Sequence, residues 1–334
     1  MKINKKLALF VLVAISLVAL TSCVVVVDRG YYYENGQYYR SGGFYFDSYQ
    51  IDEIDISWLY GSVVINTNTN SNIGYVRENT ASTLESERLH YLLDGRKLYI
   101  KYCASGYPLG AYNERKTLYL TLPSTLISNV KVTTTHASVL ATGSNFRNLN
   151  IKSNSGYISL NGITLQNNLR VSTQSGQIEL KNSTVCSYAL LNTSSGKIVI
   201  DDLKAQDLEI TTNSGSIGLS NLSILNTLKI NSTSSSIDIN NSFFTSGTID
   251  TKSGSSKLIS SSFKDFDYKT ESAPLRVDGI SSFILDFNTA YGQFYFDGIN
   301  KGGRGSYRFP AYSNPTTTIN VETKSANVSF YCNV

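Results

Sequence analysis

The sequence predicts an all-β fold, a single-stranded β-helix (solenoid) of about 19 to 20 residues per coil with irregular β hairpins near the N-terminal end. The first observation is a recurring phrase, seen in Leu149-Asn-Ile-Lys-Ser-Asn-Ser-Gly156, Leu169-Arg-Val-Ser-Thr-Gln-Ser-Gly176, Leu208-Glu-Ile-Thr-Thr-Asn-Ser-Gly215 and Leu228-Lys-Ile-Asn-Ser-Thr-Ser-Ser235. Anchored on the first residue of the Ser-Gly step, copies fall at His136, Ser155, Ser175, Ser195, Ser214, Ser234, Ser253, Ser272, Tyr291 and Ser325. Their spacings are 19, 20, 20, 19, 20, 19, 19, 19 and 34. The second observation is alternation on both sides of the anchor, as in Leu149/Ile151 before and Ile158/Leu160 after it. Period two marks strands with one buried face. The third is a further apolar column ten residues past the anchor, holding Phe146, Leu165, Val185, Ala205, Ile224, Phe244 and Phe263. Three inward segments per turn imply a roughly three-sided coil. One coil alone buries too little to offset its ordering entropy, so neighbours must close its faces.

A hydroxyl column runs in the buried parity, two residues before each anchor: Thr134, Ser153, Thr173, Thr193, Thr212, Ser232, Thr251, Thr270, Thr289 and Thr323. It reads as an internal ladder bonding to turn backbone or to itself. The alternative, an outward array organising water or ice, conflicts with the parity shared with Ile151 and Val171.

Residues 1–22 form a lipoprotein signal peptide. Lys2, Lys5 and Lys6 precede an apolar run from Leu7 to Leu20, too short for a comfortable span. Leu20-Thr-Ser-Cys23 follows and resembles a bacterial lipobox. That resemblance implies cleavage before Cys23, thioether lipidation of its sulfur and acylation, palmitate among the acyl groups, of the new amino terminus. More than one chain on one residue gives stable anchoring. Residues 23–50 then read as a lipidated, Tyr-rich tether, with Asn35-Gly36 between Tyr runs as a small hairpin or loose segment. Its tyrosines beside Arg40 are also suited to stacking on sugar rings.

Once the signal is removed, 26 basic side chains face 25 acidic ones, so no nucleic-acid partner is indicated. Cys103, Cys186 and Cys332 remain, an odd number without metal-ligand spacing, and neither a metal nor a cofactor is implied.

The β-helix domain spans 51–334. Ile54, Ile56 and Trp58, then Val63 and Ile65, supply its first coil around Tyr60-Gly61. In the irregular segment 66–128 the period is lost, and strands around Lys97–Tyr102 and Thr117–Leu122 are expected as hairpins beside or over the amino-terminal end. An insertion at 297–315 lengthens the last interval. Its Lys301, Arg304, Tyr307 and Arg308 sit among glycines, as a solvated loop or a binding loop.

From Ile51 to Phe330 the chain resembles the bacterial putative-adhesin domain of β-strand repeats, on the strength of Tyr60-Gly-Ser-Val-Val-Ile65, Leu118-Tyr-Leu-Thr-Leu-Pro123 and the Ser-Gly steps. The resemblance implies a β-helix-like fold at the bacterial cell surface and carries no catalytic or ligand residues. Ser234-Ser235, Ser272-Ala273 and Ser325-Ala326 depart from it by lacking the Gly.

Three functional readings stand. The first is a non-catalytic, membrane-anchored envelope protein for adhesion or surface interaction with a protein or glycan. The second is a carbohydrate-active enzyme or carbohydrate-binding module, for which converging carboxylates or a row of aromatics would speak. Asp201-Asp202 with Asp207, and Asp265 with Asp267, are the densest acidic groups, and His90 and His136 are the two histidines. The third is an accessory to envelope-stress signalling. The column four past the anchor brings Lys257, Arg276 and Tyr295 outward in successive late coils, and Arg304 of the insertion is expected near them as a basic and aromatic binding patch.

Overall fold

Strand alternation closes each coil around its apolar columns. A computed structural model describes residues 30–80, 82–109, 116–125, 127–310 and 314–332. The strands before the anchors stack in parallel register as a first wall, with Ile151 on Val171, Val171 on Leu191, Leu191 on Ile210 and Ile210 on Ile230. Those after the anchors stack as a second wall, in which Ile158 meets Ile178, Ile198, Ile217 and Ile237 in succession. The third column makes a shorter wall, with Phe146 on Leu165, Val185, Ala205, Ile224, Phe244 and Phe263. Nearly all of these side chains are fully buried in one continuous core. The three-sided solenoid is therefore the fold.

Two polar devices turn the corners. Between the first and second walls, the hydroxyls of Ser153, Thr173, Thr193, Thr212, Thr270 and Thr323 accept a hydrogen bond from the backbone N–H three residues on, at 2.9 to 3.0 Å. Several also donate to a turn carbonyl of the preceding rung, Thr173 to Asn154 and Thr193 to Gln174. The internal ladder is thus the correct reading of this column, since it satisfies donors that a buried corner would orphan. Between the second and third walls the chain turns through left-handed residues at Gly143, Gly162, Asn182, Asp202, Asn221, Asn241 and Ser260, with φ of 47° to 63°. Gly, Asn and Asp tolerate that region best. Ser183 and Ser242 follow the turn, each donating to the carbonyl two residues back and accepting an N–H from the rung before.

Close stacking also explains the glycine of the Ser-Gly step. A Cβ built on Gly196 would lie 2.0 Å from the carbonyl oxygen of Gly176, which is backbone and cannot yield, whereas one on Gly218 meets nothing within 4 Å. Gly196→Ala is expected to lower stability by about 1 to 3 kcal/mol, and Gly218→Ala to leave it unchanged or slightly raised. Urea denaturation midpoints of the two variants check the contrast.

The ends depart from sequential order. Strand Glu53–Trp58 lies between Lys97–Lys101 and Ile127–Thr134, and Ser62–Thr67 lies between Thr117–Leu122 and Ser138–Thr142. The irregular segment therefore supplies an outer rung on the first and second walls, with Leu98 and Ile100 in register with Ile54 and Ile56. At the other end, Thr318–Thr323 lies between Ser262–Thr270 and Phe283–Thr289, and Val328–Tyr331 lies between Leu275–Asp278 and Phe294–Phe296. First and last coils each sit one rung in from the end, paired on both sides. The described residues stack twelve parallel rungs on the first wall, so the stack is roughly 50 Å long at about 4.8 Å per rung.

Antiparallel strands cap both ends, so that short strands of two to five residues, rather than a whole parallel rung, form the outermost edges. His90–Asp94 pairs with Lys97–Lys101, and Ile73–Asn79 with Thr117–Leu122. The outermost layer is Arg40–Ser41 on His90–Asp94 and Phe44–Asp47 on Ile73–Asn79. Gly305–Phe309 covers Phe283–Thr289 at the far end, and Ile299–Gly302 covers Phe294–Phe296. The insertion expected as a loop thus supplies two capping strands, one on each wall, because an unpaired last rung would leave its amides unbonded.

Residues 30–50, expected as a tether, are part of the near cap. Tyr31 N–H donates to the Tyr107 carbonyl and Gly106 N–H to that of Tyr31, both at 2.8 Å. The Tyr33 hydroxyl donates to the Cys103 carbonyl at 2.9 Å, and its ring lies 4.8 Å edge-on from Tyr39. Beneath them, Lys116 Nζ is 3.0 Å from Glu78 Oε2 with both side chains almost wholly buried, and the ammonium sits 4.4 Å from the Tyr102 ring centroid. Breaking a buried pair of this kind leaves an uncompensated charge. Residues 1–29, and with them the signal peptide and Cys23, lie outside the described residues.

Candidate functional site

Outward columns alternate with the buried ones, so the register fixes which polar side chains are neighbours. In the sequential middle of the stack, Glu209 and Lys229 meet on neighbouring rungs, at 3.2 Å. The Tyr188 hydroxyl also donates to Glu209, and this bond, with Lys229 beside it, holds the carboxyl below its ordinary range. Such half-exposed pairs contribute little stability.

At the far end the swapped rung changes the neighbours. One line of the first wall runs Lys229, Thr248, Asp267, Asn320, Asp286, and the next runs Asn231, Asp250, Lys269, Glu322, Asn288. From Thr248 and Asp250 onward these residues floor a groove of about 560 Å³, and Arg304, between the two capping strands, borders it. A continuation passes Lys252, Glu271 and Lys324 toward the corner. Asn320 Nδ2 donates to Asp267 Oδ1 at 2.8 Å, and Lys269 lies 3.5 Å from Glu322. Among the described residues, the side chains of Asp250, Asp286, Asn288 and Arg304 have no hydrogen-bond or ion-pair partner. The groove thus offers acceptors, an amide and one free guanidinium to a polar ligand.

The expected patch of Lys257, Arg276, Tyr295 and Arg304 is divided by the same swap. Lys257 and Arg276 are direct neighbours on the second wall, but Ser329 stands between Arg276 and Tyr295. Arg276 is engaged, its Nε donating to Asp278 at 2.8 Å and its guanidinium lying 4.6 Å from the Tyr331 ring centroid. Arg304 faces the first-wall groove instead. The signal for the groove was the alternation Asp265, Asp267, Lys269 with Asp286, Asn288 and Asn320, Glu322, readable only once the rung order is known.

The other acidic group is a turn. Asp202 occupies the left-handed corner, and Asp201 Oδ1 accepts from Ser220 and Asn221, each at 2.8 Å. Asp207 accepts the Thr227 N–H at 3.1 Å. His136 stacks on Tyr60 at 5.3 Å, and His90 Nδ1 lies 2.9 Å from the Arg88 carbonyl. Among the described residues no three His, Cys, Asp or Glu side chains gather as metal ligands. Cys103, Cys186 and Cys332 are all free thiols, and burial pushes that of Cys103 up to about 12.

A capped stack of parallel coils with polar ladders on its exterior and a groove beside one cap defines a β-solenoid repeat protein. This chain belongs to the Toastrack DUF4097 family, which matches residues 51–242 and, overlapping, 190–295. Among solved structures it is similar to a putative adhesin from Parabacteroides merdae, at 10% identity, covering 87% of this chain and 96% of that one with a TM-score of 0.47. A putative adhesin from Parabacteroides distasonis is similar at 11% identity, with 86% and 95% covered and a TM-score of 0.44. A putative cell adhesion protein from Clostridium sporogenes follows at 10% identity, with 88% and 99% covered and a TM-score of 0.23. No curated protein matches the chain.

Proposed function

We propose that the chain is an exported lipoprotein, anchored at the bacterial cell envelope through Cys23, whose solenoid binds a surface protein or glycan without catalysing a reaction. The observation that carries this reading is the groove beside the far cap, where the side chains of Asp250, Asp286, Asn288 and Arg304 stand without partners among the described residues. Side chains held on rigid rungs and left unpaired are suited to a polar partner. Hydrolysis fits the same groove less well. Its four carboxylates, Asp250, Asp267, Asp286 and Glu322, are all exposed, whereas two-carboxylate glycoside hydrolysis depends on one carboxyl kept apart from water.

Two measurements test the reading. Cys23→Ala is expected to leave unprocessed precursor or to release the domain from membranes, and mass spectrometry of the mature amino terminus decides between lipidated and bare Cys23. A glycan and matrix-protein array probed with the mature protein is expected to find a ligand whose binding is lost on joint Asp286→Ser and Arg304→Ser substitution and weakened by salt. Joint Lys257→Ser and Arg276→Ser substitution on the second wall is the comparison. Loss of binding in that pair alone would move the site to Lys257 and Arg276.

A further inference from the structure

Exposed large apolar and aromatic side chains are concentrated at the end of the rod where the chain enters. Tyr32, Tyr38, Tyr45 and Tyr49 are between 65% and 78% exposed, and Ile73, Leu84 and Leu93 on the same cap are also open to solvent. Tyr45 belongs to Phe44–Asp47 in the outermost layer, where its ring lies 5.8 Å from Tyr75 on the strand it pairs with. Tyr49 follows directly, and its backbone carbonyl accepts from Arg96 at the head of the capping hairpin. Tyr32 and Tyr38 flank the segment that packs on Cys103 and Ser105. A soluble cap with no further partner would not be expected to gather its exposed tyrosines in this way.

The entry point of the chain says what lies next to this surface. Tyr31 is pinned to Gly106 and Tyr107 by one backbone bond each, so the body begins at a fixed place on the near cap. The seven residue steps from Cys23 to Gly30 reach at most about 25 Å when fully extended. A lipid on Cys23 therefore holds this cap beside the bilayer, while the groove at Arg304 lies toward the opposite end of a stack roughly 50 Å long. Tethering at such short range gives the cap a high effective concentration at the membrane surface. Tyrosine suits that boundary, with a ring for the upper acyl region and a hydroxyl for the headgroups.

We propose that the near cap is a membrane-docking surface on which Tyr32, Tyr38, Tyr45 and Tyr49 rest in the headgroup region of the bilayer, holding the groove outward. The proposal rests on lipidation of Cys23 and adds to it a second, non-covalent contact. It requires no specific lipid headgroup, because exposed Arg40 and Arg88 are offset by Glu34, Asp47 and Asp94 on the same cap.

The test uses the lipidated protein in phosphatidylcholine and phosphatidylglycerol vesicles, with tyrosine nitration mapped by mass spectrometry. Nitration of Tyr32, Tyr38, Tyr45 and Tyr49 is expected to fall several-fold relative to the same protein cleaved from its lipid, while Tyr291 at the far end, 83% exposed, stays equally reactive. The variant with all four changed to Ser is expected to remain anchored but to lose vesicle protection of the amides in Ile73–Asn79 and His90–Asp94. Equal nitration of both ends in protein shown to be lipidated overturns the docking and leaves the anchor standing. A bare Cys23 by mass spectrometry overturns the anchor, and the docking with it. Protection that appears without vesicles as protein concentration rises also overturns it, in favour of self-association.

Discussion

Ile198→Asp is expected to open the middle of the solenoid across several rungs. Ile198 is fully buried, with Ile178 on one side and Ile217 on the other in the second wall. Truncating a buried isoleucine costs about 2 to 5 kcal/mol, and a carboxylate without a partner at that depth adds several more. The cost cannot be confined to one coil. Backbone pairing on both faces of the rung is what keeps each neighbour folded, and a coil alone does not bury enough to stand. Amides of Ile158–Asn161, Ile178–Thr193, Ile198–Thr212 and Ile217–Ser220 should therefore lose protection together in hydrogen exchange, with the two capped ends affected least. Ile198→Val, which keeps shape and burial, should cost only about 0.5 to 1.5 kcal/mol. Exchange limited to Ile198–Thr212 in the Asp variant would contradict cooperative stacking.

The middle of the stack was legible because every coil repeats the same columns. Leu149/Ile151 and Leu169/Val171 share spacing, parity and corner chemistry, so the walls, the hydroxyl ladder and the Glu209–Lys229 contact all follow from alignment. The ends were not legible for the same reason. Leu285/Phe287 and Ile319/Val321 present interchangeable apolar pairs, and either satisfies the rung at Phe266/Tyr268 equally well in pattern. Only the long interval before Ser325 and the irregular stretch before Ser128 hinted that the chain had room to pass a rung and return. The expected patch failed to assemble because it took Tyr295 for the neighbour of Arg276, a place held by Ser329. Corner acids such as Asp202 carry no chemistry of their own here, since a left-handed turn asks for Gly, Asn or Asp at that point.

Deleting residues 316–334 is expected to unfold more than the segment removed. In a sequential solenoid the last coil is an end coil, and losing it would fray nothing else. Here Thr318–Thr323 and Val328–Tyr331 fill an interior rung. Ile319, Val321, Val328 and Phe330 are buried within it, contributing about 6 to 12 kcal/mol at roughly 1.5 to 3 each. Phe330 also supports the rung beyond, with ring centroids 5.0 Å from Phe283 and 5.4 Å from Phe294. Their removal leaves Phe283–Thr289 and its capping strand Gly305–Phe309 with no partner on the body side. Hydrogen exchange should then show loss of protection throughout 283–309, while Ser223–Ser232 and earlier rungs keep theirs. The groove should vanish with it, because Asn320 and Glu322 are gone and Asp286, Asn288 and Arg304 are carried on the detached rung and its capping segment. The opposite outcome is physically defined: if Phe283–Thr289 closed directly onto Ser262–Thr270, its amides would remain protected at the level of the intact chain, and the interior rung would be shown to be dispensable.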